Sequence, residues 1–447
     1  MRPSRSTSAL IALVLVCTSA ARAQDPAREP IDSTWVRAHY TKREVTISVR
    51  DGVRLFTSIY EPRDRSRAYP ILIRRTPYSL RPYGPDRVPT SLGPHDGFAR
   101  DGFIFVYQDV RGRWMSEGEF VNVRPHSARK KSRKDIDEST DTYDTIEWLL
   151  KNVRNHNGRV GMWGISYPGF YTSAGMINAH PALRAASPQA PIADWFFDDF
   201  FHHGAFFLPH AFGFFHFFGQ PRPGPTTEPP ANLFDYGTPD GYEFYLKLGP
   251  LRNVDEKYFQ GRVAFWNEIA AHPNRDAFWQ ARNILPHLRK VAPAVMTVGG
   301  WFDAEDLYGT LQTYRALERQ NPGIFNILVM GPWFHGGWAR SDGQSLGDAW
   351  FQEKTAVFYR DSIELPFFRH FLKDDADPKL PEAFVFETGA NRWRRLDTWP
   401  PAEVVELQLY LREEGKLSFT PPLPGATDFD AFDEYVSDPT RPVPFTQ

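Results

Sequence analysis

A short β-forming run, Val160 to Trp163, leads directly into Gly164-Ile165-Ser166-Tyr167-Pro168-Gly169, and the chain from Phe170 onward suits a helix. A strand that must become a helix within a few residues constrains the fold strongly, because the turn has to be sharp and its flanks small. Gly164 supplies one small flank. Gly169 stands one residue beyond the usual second glycine of a serine elbow, and Pro168, which takes that place, suits the first turn of a helix. Such a turn lifts a hydroxyl above the edge of a sheet, which makes Ser166 a candidate nucleophile. Taken alone, the pattern also fits an ordinary glycine-flanked turn.

The rest of the chain supplies the sheet. Glu44 to Tyr60 reads as alternating strands about an Asp51-Gly52 turn, and Tyr69 to Arg75 and Phe103 to Asp109 are compact β-rich runs typical of buried strands. Between Asp137 and Asn152, Tyr143, Ile146, Trp148, Leu149 and Leu150 fall near one helical face, and Gly158 closes that segment. Strand-like runs resume at Ala294 to Val298 and Phe325 to Met330. Strands alternating with helices predict an α/β fold with a mainly parallel sheet. Residues 195–287 break the pattern: they are dense in Phe, His and Trp, with prolines from Pro221 to Pro230 and helical pieces near Asp255 to Ile269 and Asp276 to Asn283. They are expected to form a helical cap inserted into a sheet domain made of 24–194 and 288–380. From about Pro381 the pattern turns β-rich (Phe384 to Glu387, Val404 to Leu411), which predicts the start of a β domain over 381–447.

Asp303 follows the run Ala294 to Gly300, and His335 follows Ile327 to Trp333. Both stand just beyond the carboxyl ends of predicted strands, where open α/β sheets place their chemistry. The chain order Ser, Asp, His is that of an α/β-hydrolase. A lone loop histidine is usually structural, but the three in this order and context predict a triad of Ser166, His335 and Asp303. Glu305 and Asp306 come immediately after Asp303, giving more acid than one histidine needs. They either cap the helix that follows or face a cation.

A chain of 447 residues has room for two or three domains, and a formal charge of −2 offers no nucleic-acid surface. The basic run Arg129 to Lys134 is expected to be a solvated loop. Phe201 to Phe218 holds four histidines without a zinc-ligand pair and matching acids, so aromatic packing, not a metal site, is expected there. At the N-terminus, Arg2 and Arg5 precede an apolar run from Leu10 to Cys17, and Ala21-Arg22-Ala23 forms a small-residue cleavage site. Residues 1–23 are therefore expected to be an export signal, giving a periplasmic or secreted protein. The run is too short to span a bilayer, and bulky Val16 argues against lipidation of Cys17. Cleavage after Ala23 would leave no cysteine, hence no disulfide and no thiol nucleophile.

Thr76-Pro77-Tyr78, Asp109-Val110-Arg111-Gly112-Arg113 with Ser116-Glu117-Gly118, the block Gly161 to Gly169, and Met330-Gly331-Pro332-Trp333-Phe334-His335 together resemble the cocaine esterase / X-prolyl dipeptidyl peptidase group of serine hydrolases. Within that group the particular likeness is to the α-amino acid ester hydrolases, the β-lactam antibiotic acylases. The resemblance runs from about Glu44 to the C-terminus. The family's elbow is Gly-x-Ser-Tyr-x-Gly, so Pro168 falls at a variable position. The resemblance implies an α/β-hydrolase domain in which Ser166 attacks the acyl carbon, His335 takes and returns the proton, and Asp303 orients the imidazole. It implies that the Tyr167 backbone N–H and the Tyr78 hydroxyl meet the oxyanion.

It also implies a three-carboxylate cluster for the substrate's α-ammonium group. Glu305 and Asp306 match two members by position, and the third is assigned to Asp199 in Asp198-Asp199-Phe200-Phe201. An ammonium entering a partly desolvated pocket needs opposite charge and several acceptors. Three acids close together repel, so at least one should hold its proton more tightly in the empty site. No cofactor is implied. The expected partner is a small ester or amide with a free α-amino group, cleaved through an acyl-enzyme that can pass its acyl group to an amine such as a β-lactam nucleus. No nucleic acid is expected, nor a membrane for the mature chain, and a homo-oligomer is left open. An X-prolyl dipeptidyl peptidase or a general acyl esterase are the alternative activities, whereas a glutaryl acylase would want Arg or Lys where this chain has acids. The family's C-terminal jelly-roll β domain is expected to be incomplete over 381–447. That leaves a non-catalytic fragment as a further alternative, because a partial sandwich exposes strand edges.

Overall fold

The computed structural model describes residues 29–230, 234–422 and 434–441. The expected export signal and its cleavage site lie outside the described residues.

Ten strands form one sheet: β1 (Tyr40–Ser48), β2 (Arg54–Pro62), β3 (Tyr69–Thr76), β4 (Ile104–Asp109), β5 (His156–Ser166), β6 (Leu183–Pro191), β7 (Ala294–Gly300), β8 (Asn326–Gly331), β9 (Ala383–Glu387) and β10 (Arg392–Leu396). Their spatial order is β1-β2-β4-β3-β5-β6-β7-β8-β9-β10. Every neighbouring pair from β4 to β9 is parallel, while the pairs at the two edges are antiparallel. The central strands are apolar on both faces because both faces are covered: Ile71, Leu72 and Ile73, Val295 and Met296, and Leu328, Val329 and Met330 are all buried. Helix α1 (Glu138–Asn152) crosses from β4 to β5, and a capping box between Asp137 and Thr140 fixes its start. Helix α2 (Tyr167–Gly175) follows β5 directly.

The chain runs outward from β3 to β4, then returns across β3 to place β5 on its other side. Connections after β3 and β5 therefore part, and they leave a crevice at the carboxyl ends of these two strands. Thr76 and Ser166 end those strands, so Tyr78 and Ser166 stand at either side of the crevice.

Between β6 and β7 the elements are helical, apart from a two-residue hairpin of Phe201–His202 with Ala205–Phe206. They include a π-turn (Phe196–Phe200) and helices α3 (Leu208–Phe218), α4 (Gly241–Leu248) and α5 (Ala264–Ala271). Aromatic rings hold this layer together. Phe212 lies 5.4 Å from Phe259 and 5.5 Å from Phe244, and Trp195 stacks on Phe265 at 5.3 Å. Among the described residues no helix is long and apolar enough to cross a membrane.

Two expectations for the C-terminal part need correction. The boundary at 381 does not separate a β domain from the sheet, because β9 pairs in parallel with β8 and β10 pairs with β9. Val404 to Leu411 is not a strand over most of its length; the described strand there is Tyr410–Arg412, paired with Lys416–Ser418. Its apolar residues Val405, Leu407 and Leu411 are exposed, so nothing described buries the face that would make a longer strand favourable.

Candidate active site

Ser166 has φ 67° and ψ −128°, a strained conformation for a residue with a side chain. The glycines around it are required by close approach. A Cβ on Gly164 would lie 2.3 Å from the Pro168 carbonyl oxygen, and one on Gly169 would lie 2.7 Å from the Gln189 carbonyl oxygen of β6. The second small residue therefore comes after Pro168 because it is there that α2 passes β6. Tyr167 opens α2, so its backbone N–H has no acceptor within the helix. Its phenol is occupied elsewhere: the Val123 N–H donates to it at 2.7 Å and it donates to Asn122 at 3.2 Å.

Tyr78 lies two residues past β3. Arg113 and the Trp114 indole both donate to the Pro77 carbonyl, at 3.0 and 3.1 Å, and so pin the loop that carries it. Arg113 lies over the Phe218 ring, 4.2 Å from its centroid, and that ring meets Tyr78 edge-on at 5.6 Å. The Asp109–Gly118 motif is scaffold for this loop. Arg111 forks between Asp51 and Asp141, and the Ser116 hydroxyl joins the Asp109 carbonyl to the Phe56 N–H.

Asp303 and His335 follow β7 and β8. Their loops are tied together by Trp301 N–H to the Gly331 carbonyl at 2.9 Å and Phe302 N–H to the Trp333 carbonyl at 3.1 Å. His335 Nδ1 lies 2.9 Å from Asp303 Oδ2, and Asp303 Oδ1 accepts the backbone N–H groups of Glu305 and Asp306 at 2.8 and 2.9 Å. Burial alone would raise the Asp303 carboxyl, but the bond to His335 and the amides outweigh it and hold it below its usual range. Burial pulls the His335 imidazole down, yet the Asp303 bond and charge, with Glu305 and Asp199, leave it above its ordinary 6.5.

The surplus acids gather here. Glu305 Oε2 lies 3.5 Å from His335 Nε2, and Asp306 Oδ2 lies 3.9 Å from His335 Nδ1. Asp306 immediately precedes helix α6 (Leu307–Gln320), but its side chain caps nothing; Asp198 Oδ1 takes the first-turn amide of Gly309, and Asp303 holds the Glu305 and Asp306 amides ahead of the helix. Both Asp306 carboxylate oxygens are buried without a hydrogen-bond partner, and so is Asp199 Oδ2. Burial, then the charges of Asp199, Asp198 and Asp303, push the Asp306 carboxyl well above its usual range, and burial also raises Glu305. Asp199 is held in place by its neighbour Asp198, which accepts the N–H groups of Ala193, Asp194 and Gly309 at 2.8, 3.0 and 2.6 Å. Gly309 of α6 admits that carboxylate, since a Cβ there would sit 2.8 Å from Asp198 Oδ1 and 2.0 Å from the Pro191 carbonyl oxygen.

Sequence reasoning missed one member of this cluster. His210 of α3 brings Nε2 to within 3.0 Å of Asp199 Oδ1. Burial lowers its basicity, but Asp199 and Glu305 leave the imidazole above its ordinary value. No local spacing announced it, because its partner Asp199 lies on the π-turn outside its helix and Glu305, whose charge also acts on it, belongs to the loop after β7.

A serine at a strained strand-to-helix elbow, a crevice at the sheet's order reversal and an acid and a histidine paired from the ends of the second and third strands beyond it define the class: an α/β-hydrolase fold of the serine-hydrolase type. Residues 51–337 match the X-Pro dipeptidyl-peptidase (S15) family, and the chain belongs to that family. Among curated proteins it is 27% identical over 424 residues to the cocaine esterase of Rhodococcus sp. (strain MB1 Bresler), covering 90% of this chain and 68% of that protein. Among solved structures it is similar to an aminopeptidase from the marine sediment archaeon Thaumarchaeota archaeon, with 38% identity and a TM-score of 0.81 over 92% of this chain and 66% of that one. An α-amino acid ester hydrolase is similar at 35% identity and a TM-score of 0.79, over 95% of this chain and 70% of that one. The chain thus spans about two thirds of the length of these relatives.

Proposed function

We propose that the protein is a serine hydrolase for esters or amides of α-amino acids, working through an acyl-enzyme on Ser166. His335 takes the Ser166 proton at Nε2 and returns it to the leaving group, while Asp303 fixes the tautomer by accepting from Nδ1. The Tyr167 N–H and the Tyr78 hydroxyl receive the oxyanion. Asp199, Glu305 and Asp306 receive the substrate's α-ammonium group beside the carbonyl under attack. The acyl group then passes to water or to an amine nucleophile, a β-lactam nucleus included.

One observation carries this reading: the buried, unpartnered carboxylate of Asp306 between Glu305 and Asp199, next to His335. A buried acid without partners costs several kcal/mol, and a cation that completes it repays that cost on binding. The names of two similar structures, an aminopeptidase and an α-amino acid ester hydrolase, agree in pointing to substrates with a free amine. The test pairs two esters that differ only in the α-amino group. Asp199→Asn should lower kcat/KM for the amino ester far more than for its des-amino partner, and equal losses would refute the ammonium site. A fluorophosphonate should label wild type and not Ser166→Ala; unlabelled wild type would favour the fragment alternative.

The same acids suit the N-terminal amine of a peptide, and the family's name and the aminopeptidase relative support that second reading. Turnover of Xaa-Pro amides in preference to amino esters would establish it. Export through residues 1–23 belongs to the proposal too, and a mature protein beginning at Gln24 is the expected result of N-terminal sequencing.

A further inference from the structure

His210 changes what the acid cluster can hold. Its Nε2 lies 3.0 Å from Asp199 Oδ1, and one donor atom each from Asp199, His210 and Glu305 lies within 4.8 Å of the others. In a tetrahedral site with bonds of about 2.1 Å, donor atoms stand roughly 3.4 Å apart. The His210–Asp199 pair, now at 3.0 Å, has to open only by about 0.4 Å to reach that spacing. Glu305 is on a loop with its side chain 31% exposed, so it has freedom to close the remaining gap. Asp199 comes from the π-turn, His210 from α3 and Glu305 from the loop after β7. The His210 ring is stacked between Phe207 and Phe214, which fixes its direction.

Clustered acids alone would carry little. Here a second observation points to a ligand: Asp199 is 8% exposed, yet its Oδ2 has no hydrogen-bond partner, and neither oxygen of the fully buried Asp306 has one. Buried acceptors are ordinarily satisfied, so Asp199 Oδ2, the one of these three that belongs to the site, awaits a donor or a cation. We propose that Asp199, His210 and Glu305 form a binding site for one zinc-class divalent ion, with water in its remaining position. An imidazole with two carboxylates suits Zn²⁺ and Co²⁺ and disfavours Mg²⁺ and Ca²⁺, which prefer oxygen alone. A carboxylate oxygen neighbours Nε2, so in the empty site that nitrogen carries the hydrogen, and on binding the ring hydrogen moves to Nδ1 to free Nε2 for the ion. Glu305 also lies beside His335, so the bound ion withdraws a carboxylate from the catalytic histidine and occupies the space offered to an ammonium group. The site shares two residues with the proposed ammonium pocket but does not depend on it, because its test reads the metal directly.

Chelator-treated full-length protein is titrated with Co²⁺, followed by visible absorption, and with Zn²⁺ by calorimetry. Expected are one ion per chain and a ligand-field band for Co²⁺. His210→Ala, His210→Gln and Glu305→Gln should each weaken Zn²⁺ at least about tenfold, the smallest loss typical even of an outer-sphere partner. Glu305→Gln changes a part-exposed side chain and keeps the test open if the His210 variants fail to fold. Absence of saturable binding, or binding undiminished in the folded variants, would overturn the proposal whatever the outcome with amino esters.

Discussion

Replacing Asp306 by Asn should stabilise the protein and damage its selectivity at once. An unfolded aspartate ionises near 3.8, whereas burial and the surrounding acids keep folded Asp306 protonated to well higher pH. The unfolded chain therefore releases a proton that the folded one retains, and stability falls as pH rises above the unfolded value. At about 1.36 kcal/mol per pH unit, the interval from there to pH 7 limits this penalty to about 4 kcal/mol. Asn cannot ionise, and its amide can donate toward the neighbouring acids. The expected gain is about 1–4 kcal/mol at pH 7, fading to nothing near pH 4. Toward substrate the sign reverses. Loss of a hydrogen bond to a charged group costs about 1.5–3 kcal/mol, or roughly 10- to 150-fold in kcat/KM for an α-amino ester. The des-amino ester should change by less than about threefold, within the noise of a surface substitution. Thermal melts at pH 7 and pH 4, with kinetics on the matched esters, read both effects. A lower melting temperature at pH 7, or equal losses on the two esters, would refute the view of Asp306 as a buried acid that ionises when a cation arrives.

Asp303→Asn should keep its carbonyl on the Glu305 and Asp306 amides and turn its NH₂ to His335, forcing the imidazole hydrogen onto Nε2; kcat should fall by about 10⁴-fold, and retention of more than a tenth of activity would contradict the triad. Because His335 acts as a base and is held above its ordinary 6.5, kcat/KM on a des-amino ester should rise with pH along an acid limb above that value. Glu305→Gln removes one of the charges that raise it and should move the limb to lower pH; an unmoved limb would show that Glu305 does not act on His335. Gly309→Ala gains about 1 kcal/mol of helix propensity, but its Cβ would meet the Pro191 carbonyl at 2.0 Å and crowd the Asp198 bond, so a net loss of about 2–4 kcal/mol is expected in denaturant melts.

The strand-end positions of Ser166, Asp303 and His335 were legible because local pattern reveals the three strands, and an α/β sheet sets such ends along one edge. Helix α4 was missed although Asp240 and Glu243 carry its start signal; the Asp240 side chain accepts the N–H groups of Tyr242 and Glu243. The strand β6 gave no signal, since its Ala and Pro residues lack β-branching. It is a strand because β5 and β7 flank it and because small residues let α2 pack closely on it. Phe384 to Glu387 was recognisable as a strand, but the sheet it joins depends on pairing with β8, which no local pattern encodes. The same limit hid His210, whose partners come from two other segments.

The choice between capping and cation binding for the acids after Asp303 shows where sequence reasoning ends and geometry begins. Any of Asp303, Glu305 and Asp306 had the chemistry to cap α6, and an ordinary helix start would use the residue beside it. Here Asp303 holds the Glu305 and Asp306 amides ahead of the helix along with His335, and Asp198 takes the Gly309 amide in the first turn. Asp306 is thereby released from the helix and buried without partners. Asp198 spends its own carboxylate on three backbone amides, which fixes the turn that sets Asp199 opposite Asp306. A chain selected for stability alone would pair or neutralise these groups, because unpaired buried acids are among the costliest features a core can carry. Backbone strain at Ser166, the crowded glycines beside it and the orphaned carboxylates of Asp199 and Asp306 are each departures from local consistency. Such departures are what a functional site requires, and on the proposed reading the acids, not the serine, set the specificity.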